Sequence, residues 1–253
     1  MKGDPRLAKT FIAAMALAAI AGTLCASLAS HAVHPAYTLT ILALAAATSK
    51  MKIKMPGIDG TMSVNLPFLL MAVVNLSALE AVAIACLSTV VQCWPKSRSK
   101  FRPEQMLFNV SMMAFAASMA SLIWNAGWLG RSARGSSAWG SSAWASEPLM
   151  LASATAAFLV GQTAPVAGII KLAEGTAMRR VWLSIVQLSF PYYVLSAGMT
   201  SMVNTVSHHL GWQAALVVFP VMYGIHRSYR LYFREAEEAP HTVPLARAAR
   251  AGA

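Results

Sequence analysis

The sequence predicts an all-α fold, a polytopic helical membrane bundle of about eight passages, on three observations. Of 253 residues, 57% are hydrophobic and 11% charged, with a mean hydropathy of +0.55, where a soluble domain has roughly 45–50% and about 25%. Apolar stretches recur along the whole chain, several near the ~20 residues that a helix needs to cross a ~30 Å hydrocarbon core. The charges, net +11, are dealt out between these stretches. A basic face that binds nucleic acid must be contiguous, so this spacing points to membrane topology and away from nucleic acid.

Lys2, Arg6 and Lys9 precede an apolar run from Thr10 to Ala29. The run is longer than the ~7–15 residues of a cleaved signal sequence, so it is read as the first membrane helix. His31 to Pro35 makes a turn, and Ala36 to Thr48 a second helix. Lys50, Lys52 and Lys54 then run into Met55-Pro56-Gly57, which reads as a basic loop because proline cannot sit inside a helix without losing a hydrogen bond. The third and fourth passages, about Thr61–Leu76 and Ala78–Cys93, are short for full spans. A re-entrant hairpin is the alternative, allowed where protein shields the backbone.

Trp94 to Pro103, with two prolines and four cations, is a loop. The fifth helix, about Gln105 to Trp124, is rich in methionine and small residues that permit close helix approach. Asn125 to Pro148 reads as a flexible connector. It holds Gly135-Ser136-Ser137-Ala138-Trp139 and a tandem copy, Gly140-Ser141-Ser142-Ala143-Trp144, the composition of a linker. The sixth helix, Leu149 to Ile170, contains Pro165 and Gly168, enough to kink it. Lys171 to Arg180 is a third basic loop. The seventh helix, about Val181 to Thr205, carries Pro191. His208-His209 then turns the chain into an eighth helix, about Trp212 to Ile225. Residues 1–231 are thus one membrane domain, and 232–253 a short, largely disordered cytoplasmic tail.

In this eight-pass reading, all of the 20 lysines and arginines except Arg131 and Arg134 fall on one side. Cytoplasmic loops carry the excess of Lys and Arg, so both termini are expected in the cytoplasm of a bacterial inner membrane.

Lys54-Met55-Pro56-Gly57 with Gly60-Thr61-Met62-Ser63-Val64-Asn65, Val91-Gln92-Cys93, Leu107-Phe108-Asn109-Val110-Ser111, Phe219 to Tyr223 and Arg227 to Tyr232 together resemble a known family. It is the multi-helix membrane sensor region of bacterial GGDEF and HD-GYP signalling proteins. The resemblance spans most of residues 50–232. It implies a membrane sensor whose last helix runs into a cytoplasmic segment, here carrying Arg227, Tyr229, Arg230 and Arg234. In the family a domain that makes or degrades cyclic di-GMP follows, and none is expected after Arg234. The Gly/Ser/Trp connector departs from the family pattern.

Asn65, Asn75, Glu80, Asn109, Gln162 and Gln187, with Gln92 and Asn204, are candidates for a polar interior, although interhelical hydrogen bonding accounts equally for such residues. Glu80 is the one acid between the two short passages. A carboxylate within a membrane commonly faces a cavity, and one in the first turn of a helix is also favoured by the macrodipole. His31, His34, His208 and His209 all fall on the outer face, where imidazoles gathered from two turns would bind a divalent metal or a ligand. Cys25, Cys86 and Cys93 lack metal-ligand spacing and read as small apolar packers. No nucleophile stands at a credible spacing from a base, and no cofactor is expected.

The sequence is therefore read as a non-enzymatic sensor or signal-transduction protein. Its expected partners are the lipid bilayer and either a separate cytoplasmic signalling protein or further copies of itself. The alternative is a small-solute transporter or its membrane substrate-binding subunit, because kinked helices and a short hairpin also suit a midplane site.

Overall fold

A computed structural model describes residues 5–28, 35–54, 61–94, 102–133, 142–210, 213, 215–228 and 231, with 5, 53–54, 61–62, 127–133, 142–146 and 207–210 given as backbone alone. In chain order the elements are α1 (Pro5–Ser27), α2 (Pro35–Ser49), β1 (Lys52–Lys54), β2 (Thr61–Ser63), α3 (Leu66–Asn75), α4 (Ala78–Cys93), α5 (Pro103–Ala133), α6 (Ser142–Glu174) and α7 (Met178–Leu210). A last helix, α8, covers 215–228. Among the described residues the fold is helical apart from one antiparallel strand pair, in register Lys52↔Ser63, Ile53↔Met62 and Lys54↔Thr61.

Among the described residues, four helices are long and apolar enough to cross a membrane: Arg6–Ser27, Pro103–Ala126, Glu147–Glu174 and Met178–Val206. Helices α2, α3 and α4 are apolar but shorter. The surface supports a membrane setting, because large apolar side chains such as Leu17, Leu149 and Met202 stand more than two-thirds exposed. Such side chains gathered in quantity on a helical surface are costly in water and at rest in lipid.

The direction of each helix follows from contacts between residues at a common level. Lys9 pairs with Glu104 at 3.1 Å, Thr23 meets Ser118, and Thr38 donates to Glu80. Asn109 donates to Cys93, Asn204 to Glu147 and Tyr193 to Gln162. These pairs make α1 and α5 parallel and α6 antiparallel to α7; Thr38–Glu80 at the starts of α2 and α4, with the Val64–Met51 and Ser63–Gln92 bonds near their ends, makes those two parallel as well. The starts of α1, α5 and α7 therefore share one end of the bundle with the ends of α2, α4 and α6.

Small residues set the closest approaches. A Cβ on Gly161 would lie 3.0 Å from the Ala116 backbone, and one on Gly168 would lie 3.0 Å from the Phe11 ring. A Cβ on Gly22 would meet that of Ser118 at 3.2 Å. Helix α6 thus meets the α5 backbone at Gly161, while Gly168 and Gly22 make room for the Phe11 ring and the Ser118 side chain. Around this three-helix wall the core is filled by Phe68, Phe158, Ile41 and Met71.

Several sequence expectations are corrected. Lys52 and Lys54 belong to a strand pair rather than a loop; their alternation is the period of a strand. The connector expected from Asn125 to Pro148 is helical up to Ala133 and again from Ser142. Residues 134–141, with most of the tandem repeat, lie outside the described residues. The loop expected over Lys171–Arg180 narrows to Gly175–Ala177 between α6 and α7. There Gly175 adopts φ 73° and donates its amide to the Lys171 carbonyl, a left-handed helix terminator that glycine takes without strain. His208 and His209 lie in the last turn of α7 rather than in a turn between helices.

Candidate functional site

The centre of the bundle is α3. It has only ten residues, about 15 Å of helix, or half of a ~30 Å hydrocarbon core. Every residue from Leu66 to Val73 is buried, so the helix has no exposed stripe and must be enclosed on all sides. Enclosure without water raises the question of where its terminal backbone groups find partners.

At the N-terminus every donor is accounted for. The Asn65 side chain does not cap the helix. Instead the Tyr192 hydroxyl on α7 accepts from the Leu66 amide at 3.2 Å. Pro67 has no amide to satisfy. The Phe68 and Leu69 amides both donate to the Asn65 carbonyl, at 3.1 and 3.2 Å. Thr200, two turns beyond Tyr192 on α7, donates to the Pro67 carbonyl at 3.3 Å. At the far end the Trp124 indole of α5 donates to the Val74 carbonyl at 3.1 Å. Asn75 turns its amide back onto the Met71 carbonyl at 3.1 Å. Helix α3 is therefore held at one end by α7 and at the other by α5.

Asn65, released from capping, joins a polar chain at the root of the strand pair. Ser63 donates to the Asn65 side-chain oxygen at 2.8 Å and approaches that of Gln92 at 3.2 Å, while the Asn65 amide donates to Ser88 at 3.4 Å. The strand pair is tied in turn to the end of α2 by a Val64 amide to Met51 carbonyl bond of 3.3 Å.

Glu80 sits at the opposite end. Ser77 and Glu80 form a reciprocal capping box at the start of α4: the Glu80 amide donates to the Ser77 hydroxyl, and the Ser77 amide donates to the Glu80 carboxylate. The same carboxylate accepts from the Ser77 and Thr38 hydroxyls. Each bond satisfies a group that the buried helix start would otherwise leave unmet. Glu80 thus joins α2 to α4.

The predicted polar interior is therefore brought together only in part. Asn65 is fully buried, and Asn75, Glu80, Asn109 and Gln162 are half-buried. They are spread over several levels, each engaged by a neighbour, rather than facing one cavity. Asn109 donates to the Cys93 sulfur at 3.4 Å. Gln162 accepts from Tyr193. Gln187 is exposed on α7 and is not an interior residue. Sequence reasoning missed Tyr192, Thr200 and Trp124, whose roles depend on which helix lies opposite them. The one available signal was an aromatic pair, Tyr192-Tyr193, directly after a mid-helix proline.

Other candidates fall outside the described residues. This holds for His31 and His34, for the side chains of His208 and His209, and for Tyr229, Arg230 and Arg234, whereas Arg227 is exposed near the end of α8. Among the described residues no group of three or more His, Cys, Asp or Glu is placed to hold a metal ion.

The chain matches no family model, no curated protein and no solved structure.

Proposed function

We propose that the chain is a non-enzymatic, multi-pass protein of the bacterial inner membrane, of sensor type. Its eight passages leave both termini in the cytoplasm, with α3 as the helical part of a short third passage. The observation that carries this reading is the attachment of α3 to α7 through Tyr192 and Thr200. A ligand or partner that displaces the strand pair or α3 has to displace the middle of α7, because the buried α3 backbone has no alternative partner in lipid. Helix α7 leads through α8 to Arg227, Tyr229, Arg230 and Arg234, the segment by which the signal leaves. The resemblance to the membrane sensor regions of GGDEF and HD-GYP proteins supports the same reading.

One feature favours a second reading. A short helix buried inside a bundle is the kind of broken element that builds midplane sites in transporters, so a small-solute transporter or its membrane substrate-binding subunit is the alternative.

Photocrosslinking from position 227 in the native cell separates the two readings. Capture of a cytoplasmic signalling enzyme, encoded beside this chain, is the result the sensor reading expects. Capture of a transport ATPase would replace it with the transporter reading, and no capture at all would remove the output segment.

A further inference from the structure

An apolar cleft of about 620 Å³ runs along α6 between α1, α5 and the start of α7, lined among others by Phe11, Val160, Ala164, Gly168, Lys171 and Met178. From Ala157 to Leu172 the α6 side of the cleft extends about 22 Å at helical rise, longer than the ~15 Å depth of one leaflet's hydrocarbon. Its floor is made of small residues, Ala157, Gly161, Ala164 and Gly168, which recur every three or four positions and so share one helix face. Val160 is 47% exposed on its rim, so the cleft is open along its side.

The cleft's polarity is lopsided. Lys171 is the one charged residue in its lining, and it sits at the end where α6 finishes. Arg179 and Arg180 directly follow Met178, and all three cations are exposed. Lys9 lies two residues before Phe11, the ring that packs against Gly168, and Arg6 one turn before that. Among the described residues the carboxylates at this end are Glu104, paired with Lys9, and Glu174. Lys171 in the lining, with Arg179 and Arg180 next to the lining residue Met178, thus puts cations at one end of an apolar trough.

We infer that this cleft is a binding site for one acyl chain of an anionic phospholipid from the leaflet on the cationic side, with its phosphate at Lys171 and Arg179/Arg180. An open apolar trough at least as long as one leaflet's hydrocarbon is deep accommodates an acyl chain, and cations at one end select an acidic headgroup. Lys171 also complements the C-terminal dipole of α6, a role that would leave lipid selectivity unchanged. The assignment rests on the membrane reading, which topology tests separately, and is independent of any signalling output.

Native mass spectrometry of the full chain, titrated with phosphatidylglycerol or phosphatidylcholine, tests it. The expected result is tighter retention of phosphatidylglycerol, with Lys171→Glu weakening that retention at least about fivefold, the worth of one surface cation before the added carboxylate repels the headgroup. Val160→Trp should block the cleft and lower retention of both lipids, while Leu183→Trp, on an exposed face of α7 away from the cleft, leaves it unchanged. Met178→Trp at the mouth serves if Val160→Trp does not fold. Equal retention of the two lipids, indifference to Lys171→Glu, or indifference to the blocking variants would overturn the assignment. Displacement of phosphatidylglycerol by equimolar oleate would overturn it in favour of a free fatty acid.

Discussion

Tyr192 stands in for the missing N-cap of α3, its hydroxyl accepting the Leu66 amide at 3.2 Å from a position 126 residues along the chain. A helix start that is normally satisfied by its own flanking residue is here satisfied by another helix. The local fold of α3 and its packing on α7 are thereby one interaction.

Tyr192→Phe removes that acceptor while keeping the ring. A buried donor left without a partner costs about 1–3 kcal/mol, and thermal unfolding in detergent should show a loss in that range. Thr200→Val should cost less, about 0.6 kcal/mol, the usual size of such a bond in a membrane bundle. An unchanged melting temperature for Tyr192→Phe would show that the α3 start finds another partner.

Two glycines should respond in opposite directions. Gly161→Val places side-chain atoms where a Cβ would already lie 3.0 Å from the Ala116 backbone, and overpacking of this kind costs about 1–3 kcal/mol. Gly198 in α7 has nothing within 4 Å of a Cβ position, so Gly198→Ala should stabilise by up to about 1 kcal/mol through helix propensity. Parallel melts of the two variants check the pair. Equal effects would place the α5/α6 contact elsewhere.

At the start of α4, Ser77→Ala should cost about 1 kcal/mol as the loss of an N-cap. Glu80→Gln keeps an acceptor for Thr38 and Ser77 and should be milder than Glu80→Ala, which removes that acceptor from both hydroxyls and from the Ser77 amide. If Glu80→Gln leaves stability intact yet abolishes a cellular response, the carboxylate's charge has a role beyond capping.

Much of this architecture was legible in the sequence, for identifiable reasons. The long helices follow from apolar length, and Pro103 opens α5, a first-turn position where the amide that proline lacks would be unpaired in any case. Thr61 to Cys93 is short for two full spans, and the structure locates the shortfall mainly in α3. The strand pair was missed because Pro56 and Gly57 dominated the reading of a segment whose lysines already alternated. The polar residues were only half legible. Composition marks Gln187 and Asn65 as equally polar, but burial depends on which face of a helix meets a neighbour, and α7 turns Gln187 outward. Tyr192 and Thr200 were illegible for the same reason, since their partners are backbone atoms 126 and 133 residues away.

Membrane topology tests the account's central claim most directly. Reporter fusions after Arg102 and after Glu238 should be active only as cytoplasmic fluorescent proteins, and a phosphatase inserted within residues 135–144 should be active only outside. That pattern is what a bundle with its cationic end in the cytoplasm predicts. Phosphatase activity after Arg102, or fluorescence from the 135–144 insertion, would contradict it.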